Sequence, residues 1–178
     1  GFPRYLQVEQ ITSIQKDIQR LKQLNKRITI LTKIDNNQYT NVTPINLTDL
    51  INEKVNNYKE LNINSINHTS NDVLLVSMDA FLADVLMNNL FSNAIKYSKK
   101  QDKITIVSTK NSLMVSNIGE MALMHPEKLF TRFYRESNKN NSTGLGLAIV
   151  QKICDLYQFK ISYKFEAKHH IFSIEFIK

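Results

Sequence analysis

The chain has 178 residues, enough for one domain with a sizeable core or for a small domain with an appendage. Its hydrophobic fraction of 42% is ordinary for a globular protein, and no run of about 18 apolar residues is present to span a membrane. The net charge of +7 suits a nucleic acid, an anionic surface or a phosphorylated ligand, but no nucleic-acid-binding signature accompanies it. The single cysteine, Cys154, excludes an internal disulfide and is expected in the core.

The first 35 residues predict one long helix, from near Leu6 to Ile34. A three-residue step from Leu21 to Leu24 interrupts its heptad-type pattern. We expect the apolar stripe to face a partner helix before this step and the following domain after it. Packing of the whole helix on its own domain is the alternative. The stripe consists of Ile11, Ile14, Ile18, Leu21, Leu24, Ile28 and Leu31.

Beyond Pro44, helical and alternating patterns succeed one another without the regular βαβ repeat of a Rossmann fold. The order predicts a mixed domain of helices and strands. In chain order we expect a helix at 47–61, strands at 63–66 and 73–76, a helix capped by Asp79 and reaching Tyr97, a hairpin around 110–111, a short helix opened by His125 and carrying Leu129, Phe130 and Phe133, a polar loop at 137–142, a helix at 143–157, and strands at 160–165 and 171–177.

Two of the four glycines, Gly144 and Gly146, lie at the start of the helix predicted at 143–157. Glycine is favoured where the backbone needs a positive φ angle or approaches another group closely. The free amides of a helix N-terminus also bind anions. The pair therefore indicates a phosphate site, although a Gly-x-Gly helix start is a weak signal by itself.

Asn89 and Asn93 are four residues apart and share a helix face with Lys96 and Tyr97. Amide oxygens suit a hydrated Mg²⁺, and an ammonium group can neutralise phosphate charge. A solvent-facing polar surface explains the same residues equally well, so this helix alone does not decide between the two interpretations.

Three motifs together resemble those of the bacterial sensor histidine kinases, within the GHKL ATPase superfamily. Asn-Leu-x-x-Asn-Ala-x-Lys-Tyr-Ser at 89–98 looks like the N box, and 129–135 and 143–150 resemble the F and G2 boxes. Residues 31–36 are similar to the end of the second helix of a dimerisation and histidine-phosphotransfer module. The resemblance implies an α+β fold of Bergerat type, a two-layer sandwich whose mixed sheet is covered by about three helices, behind a long coiled-coil-type helix. It divides the chain into a partial phosphotransfer module, 1–40, and an ATP-binding domain, 41–178.

The same resemblance implies ATP and Mg²⁺ as cofactors. Asn93 is then the expected Mg²⁺ ligand with Asn89 beside it, and Lys96 and Arg135 are the expected catalytic cations at the transferring phosphate. The other expected ATP contacts are Tyr97, Asn117, Gly119, Phe130, Thr143, Gly144, Leu145, Gly146 and Leu147.

The chain departs from the family's Asp-x-Gly-x-Gly box, because Asn117 replaces the aspartate and Met121 the second glycine. Asparagine keeps an oxygen acceptor for adenine but loses the charge, a difference of about 1 kcal/mol. We expect ATP binding to survive, several-fold weakened and less selective for adenine over guanine. A turn-forming role for Asn117 is the alternative. His169 and His170 stand where a Gly-Thr pair is usual, and we expect a hairpin turn there rather than a metal site.

The resemblance implies transfer of the ATP γ-phosphoryl group to a histidine and relay to the aspartate of a response-regulator receiver domain. No histidine in the chain has an acceptor-like context, so we expect the acceptor upstream and no self-phosphorylation by this fragment. We also expect a homodimer of the full-length protein, a cytoplasmic location as part of a membrane-anchored sensor, and no nucleic acid or membrane contact by the fragment. The histidines are His68, His125, His169 and His170.

Two other functions remain open from the sequence. Asn117 and the missing glycine motivate a nucleotide-responsive scaffold without kinase activity. A GHKL ATPase of the mismatch-repair or chaperone type is the third possibility. The long heptad helix and the brief polar segment of about 136–142, which the resemblance implies is an ATP lid, argue against it.

Overall fold

The computed structural model describes residues 4–60, 65–99, 102–136 and 142–176, with side chains from residue 8 onward. None of the described helices combines the length and apolar character that a membrane crossing requires. The helices are α1 (Arg4–Asp35), α2 (Leu47–Glu60), α3 (Ala80–Lys96) and α4 (Gly146–Tyr157), with one 3-10 turn at Pro126–Lys128. The strands are β1 (Val42–Asn46), β2 (Ser65–Ser70), β3 (Leu75–Asp79), β4 (Lys103–Ser108), β5 (Ser112–Ile118), β6 (Lys160–Glu166) and β7 (His169–Glu175).

The strands form two sheets. β1 and β3 pair antiparallel, and the other five strands form a mixed sheet in the order β2-β4-β5-β7-β6. The β2–β4 pairing is parallel, and the remaining pairings of this sheet are antiparallel. Helices α2, α3 and α4 pack against the larger sheet. This two-layer α+β arrangement, with three helices on a mixed sheet behind a long helix, confirms the predicted fold.

The core lies between α3 and the sheet. Alternate residues of β4 and β5, such as Ile106 and Val115, are buried against the helices. Asp79 fixes the start of α3, since its carboxylate accepts hydrogen bonds from the backbone amides of Phe81 at 2.9 Å and Leu82 at 3.2 Å. Such an N-cap stabilises a helix by about 1 kcal/mol. The predicted cap is confirmed, and it sets which residues of α3 face away from the sheet.

The apolar stripe of α1 changes its environment along the helix. Leu21 is 63% exposed, whereas Leu31 and Ile34 are buried in the core that includes α4. Ile28 belongs to the stripe and is 41% exposed, while Ile30 lies outside it and is only 7% exposed. The buried face has therefore rotated after the three-residue step, as the sequence predicts for this end of the helix.

The last residue of α1 also joins it to the domain electrostatically. The carboxylate of Asp35 accepts from Arg132 Nη2 at 2.8 Å and lies 3.2 Å from Lys152 Nζ. Arg132 follows the 3-10 turn, and Lys152 is on α4. The hydrogen bonds from Arg132 and Lys152 hold the pKa of Asp35 below its usual value. One carboxylate thus links three separate segments of the chain.

The short helix predicted after His125 is wrong, because only the 3-10 turn Pro126–Lys128 forms there. Phe133 has a φ angle of 65°, which no right-handed helix accommodates. Helix α4 begins three residues later than predicted, at Gly146. The predicted positions 61, 63, 64, 137–141 and 177 lie outside the described residues.

Leu31→Ala should lower the free energy of unfolding by about 2–5 kcal/mol, because it leaves a cavity between α1 and α4. Leu21→Ala removes the same atoms from an exposed position and should cost about 0.5 kcal/mol or less. Urea unfolding followed by circular dichroism measures both. Equal losses in the two variants would contradict the docking of this end of α1 on α4.

Candidate active site

A cavity of about 490 Å³ opens between α3, the start of α4, the end of β5 and the middle of α1. It collects most of the side chains that the motifs singled out, from parts of the chain far apart in sequence. Of the expected ligand-binding residues it is lined by Asn89, Asn93, Lys96, Tyr97, Asn117, Arg135, Thr143, Gly144, Gly146 and Leu147.

Three expected residues do not line this cavity. Leu145 is fully buried directly before α4, and Phe130 packs partly buried against the core. Gly119 lies against the ring of His170, where an added Cβ would stand 2.2 Å from Nε2. Leu145 and Phe130 thus have packing positions, and Gly119 leaves room for a histidine side chain.

The outer face of α3 presents oxygen atoms to the cavity. Asn89 Nδ2 donates to the carbonyl oxygen of Val85 at 2.8 Å, which fixes the orientation of the amide. Its Oδ1 points towards Gly146, where an added Cβ would be 3.0 Å away. Asn93 follows one turn later on the same face. An oriented amide oxygen at the cavity wall is the kind of ligand that Mg²⁺ accepts.

One end of the cavity is strongly cationic. Arg135 Nη1 donates to the carbonyl oxygen of Ser142 at 3.3 Å, and Arg27 Nη1 of α1 donates to Thr143 Oγ1 at 2.6 Å. Lys96 faces both guanidinium groups. Burial lowers the pKa of Lys96, and the charges of Arg27 and Arg135 lower it further. This mutual repulsion makes the region a favourable environment for an anion.

The two glycines at the start of α4 have different structural requirements. Gly144 has a φ angle of +67°, and an added Cβ would lie 2.7 Å from the backbone carbon of Phe133. Its carbonyl accepts a 2.9 Å hydrogen bond from the Phe133 amide. Gly146 is the first residue of α4, and Leu145 before it provides no side-chain cap. The first amides of α4 therefore have no side-chain acceptor from the capping position.

The opposite end of the cavity holds Asn117 and His170, which face each other across β5 and β7. Asn117 is only 1% exposed and donates from Nδ2 to the carbonyl oxygen of Ile118 at 3.3 Å. Asn117 is the penultimate residue of β5, two positions before Gly119, and its role in shaping the following turn stays a prediction. His170 Nδ1 is 2.8 Å from the Tyr163 hydroxyl. Burial lowers the pKa of His170, and the charge of Glu136 partly opposes this shift.

The paired histidines belong to a hairpin, as predicted. Ala167 and Lys168 form the turn between β6 and β7 with φ angles of 49° and 59°. His169 Nδ1 is 2.7 Å from the carbonyl oxygen of Ala167. Within the described residues, no group of three or more His, Cys, Asp or Glu side chains could hold a metal ion.

The cavity is also lined by ten residues that the sequence analysis did not assign to a site. Ser92 lies one turn before Lys96 and could have been found from helical spacing. Arg27 and His170 could not, because only the docking of α1 and the strand register bring them to the cavity. The ten are Gln23, Arg27, Ser92, Leu123, Leu129, Tyr134, Glu136, Ser142, His170 and Phe172.

Comparison with known proteins agrees with this geometry. Residues 78–176 match the model of the histidine kinase-, DNA gyrase B- and HSP90-like ATPases. The chain belongs to this ATPase family. This match covers over half of the chain and runs from the end of β3 to the last described residue.

Relatives that are named sensor histidine kinases confirm the resemblance. HprS of Escherichia coli K12 is 35% identical over 102 residues, which are 54% of this chain and 23% of that protein. The heme sensor protein HssS of Staphylococcus saprophyticus is 29% identical over 161 residues, 85% of this chain and 35% of that protein. The chain thus spans about a quarter to a third of these relatives. The solved catalytic domain of the histidine kinase ThkA has a TM-score of 0.66 at 27% identity, covering 77% of this chain and 97% of that one.

Gly144→Ala should destabilise the fold by about 1–3 kcal/mol, because alanine disfavours a positive φ angle and its Cβ would meet the Phe133 backbone. Gly146→Ala is the matched variant. It adds the same atom at a helix start without a positive φ angle, and its Cβ would meet only the Asn89 side chain, 3.0 Å from Oδ1, so the loss should be smaller, about 1 kcal/mol or less. Thermal unfolding of both proteins checks the difference, and similar losses would contradict distinct roles for the two glycines.

Proposed function

We propose that this chain is the ATP-binding catalytic region of a sensor histidine kinase. It transfers the γ-phosphoryl group of ATP to a histidine outside this chain, for relay to the aspartate of a response-regulator receiver domain. The observation that carries the proposal is the shared cavity, in which the amide face of α3, the cations Lys96 and Arg135 and the uncapped start of α4 meet.

The residues present fit Mg²⁺ and a nucleotide. The oriented Oδ1 of Asn89 and the amide of Asn93 are the candidate Mg²⁺ ligands, directly or through water. When bound, Mg²⁺ neutralises phosphate charge and orients the phosphate oxygens. The amides that begin α4 at Gly146 bind phosphate oxygens from the other side, as helix N-termini commonly do.

Lys96 and Arg135 supply the charge that the transfer requires. Phosphoryl transfer depends on positioning and on stabilising the charge of the phosphoryl oxygens, with little covalent chemistry by the protein. The pKa of Lys96 is lowered by burial and by neighbouring cations. A phosphate placed between these cations relieves their repulsion and keeps Lys96 charged. Their stabilising effect therefore increases when the nucleotide binds.

The base of the nucleotide is assigned to the end that holds Asn117. Its Nδ2 is engaged by the Ile118 carbonyl, so Oδ1 is the atom left to accept from the adenine amino group. Tyr97 and Leu147 provide apolar surface beside the base. Because Asn117 is a neutral acceptor, ATP should bind more weakly than it would to a carboxylate at this position. Asn117 is also the observation that favours the second candidate function, a scaffold without kinase activity.

The exposed stripe of α1 suits a homodimer of the full-length protein. Ile11, Ile14, Ile18 and Leu21 are 46–63% exposed along one stripe of α1. A narrow apolar stripe on a long helix is typical of helix–helix association. In a dimer, the acceptor histidine and the ATP site are brought together by this helix pairing.

The longer protein that contains this chain should form an acid-labile phosphoprotein with Mg²⁺ and γ-labelled ATP. Asn93→Ala should reduce labelling at least about tenfold, because it removes a proposed Mg²⁺ ligand. Asn56→Ala, an exposed substitution of the same kind on α2, should leave it unchanged. ATP binding without any phosphoprotein would support the scaffold instead.

Asn117→Asp should strengthen ATP binding about fivefold and raise the preference for ATP over GTP, because a charged acceptor is worth about 1 kcal/mol more. The same change removes the hydrogen bond to Ile118 and should lower the free energy of unfolding without nucleotide. Calorimetric titration and thermal unfolding measure the two effects, with exposed Asn41→Asp as the control. No gain in ATP affinity would contradict the assignment of Asn117 to the base.

A further inference from the structure

Arg27 lines the cavity although it lies far from the motifs in the sequence. It belongs to α1, outside residues 78–176 that match the ATPase family. Its hydrogen-bond partner, Thr143, lies 116 positions later in the sequence. The guanidinium is partly buried, and Nη1 donates to Thr143 Oγ1 at 2.6 Å. A helix outside the ATPase domain therefore supplies one wall of the cavity.

The charge of Arg27 is not balanced by the protein in the part of the chain that the structure describes. Its described partner is a neutral hydroxyl, and none of the described salt bridges includes it. The acidic side chain among the lining residues is Glu136, which accepts from the Met124 amide at 2.5 Å and from the Tyr134 hydroxyl. A partly buried cation without an opposite charge is costly, so the site is suited to an anion from solution.

The position of Arg27 identifies the kind of anion. Arg27, Lys96 and Arg135 line the same cavity as Thr143 and the first residues of α4, and the charges of Arg27 and Arg135 both act on Lys96. Three cations and a helix N-terminus match several phosphate groups rather than a single carboxylate. A guanidinium also binds phosphate with two parallel hydrogen bonds, and the bond to Thr143 uses only one of its donors.

We propose that Arg27 binds the polyphosphate of the nucleotide directly, so that α1 and the ATPase domain form the phosphate site together. The inference rests on the proposed function and deepens it, because it adds a phosphate ligand from outside the ATPase domain. Thermodynamic linkage between ATP binding and α1 docking follows from this contact. If docking of α1 raises the affinity for ATP by some factor, ATP binding must raise the equilibrium constant for α1 docking by the same factor.

Titration of the chain with ATP, ADP and adenosine in the presence of Mg²⁺ tests the proposal. Arg27→Gln should weaken ATP binding about tenfold or more, weaken ADP by a smaller factor and leave adenosine unchanged. Arg27→Lys should recover part of the ATP affinity, because it restores the charge without the two parallel hydrogen bonds. Lys26→Gln, which removes one charge from an exposed neighbouring position on α1, should change ATP affinity by less than about twofold.

Two outcomes would overturn the inference alone. If the unmodified chain binds ATP and Arg27→Gln binds it equally well, Arg27 is not a phosphate ligand. If Arg27→Gln weakens ATP and adenosine by the same factor, Arg27 acts only by holding Thr143 in place. If the unmodified chain binds no nucleotide at all, the proposed function itself fails, and the inference fails with it.

Hydrogen exchange supplies a second readout that does not depend on affinity. In the unmodified chain, Mg²⁺ with ATP should slow amide exchange in residues 24–31 of α1, and Mg²⁺ with adenosine should not. In Arg27→Gln, saturating ATP should no longer protect this segment. Equal protection by ATP in both proteins would contradict a direct contact between Arg27 and the polyphosphate.

Discussion

The helical period of α3 is the constraint on which the site depends. Leu86 and Leu90 must face the sheet to be buried, so Asn89 and Asn93 must face the other way. The N-cap at Asp79 fixes the residue at which α3 begins. One helix thereby stabilises the core and presents the amide oxygens to the cavity. A change that shifts the register of α3 would disturb both sides together, because they are opposite faces of the same element.

Much of the fold follows from local patterns in the sequence. The apolar runs of 104–107 and 113–115 predict β4 and β5, and Asp79 predicts the helix start because its carboxylate suits an N-cap. The segment after His125 is where local reasoning fails. Its aromatic residues have helical spacing, but Phe133 adopts a positive φ angle to exchange backbone contacts with Gly144. Tertiary contact, rather than local preference, decides the conformation there.

In the candidate site, too, some residues follow from local sequence patterns and others depend on tertiary contacts. Residues on α3 and at the start of α4 are predictable because short motifs hold them at fixed spacing. Arg27 and His170 are not, since their positions depend on how α1 docks and on how β7 pairs with β5. Sequence spacing carries information about one element at a time. The cavity is formed by several elements, so its cationic end and its base end each include a residue that only the assembled fold reveals.

The docking of α1 has a consequence for where this protein can be divided. A boundary at residue 40 is the natural choice from the sequence, yet Ile30, Leu31 and Ile34 belong to the same core as α4. Asp35 adds ionic links to Arg132 and Lys152 across the same junction. A chain begun at residue 41 would leave an apolar groove on α4 open to water and two cations without their carboxylate. The unit that buries its own apolar surface is therefore larger than the unit that the nucleotide motifs define.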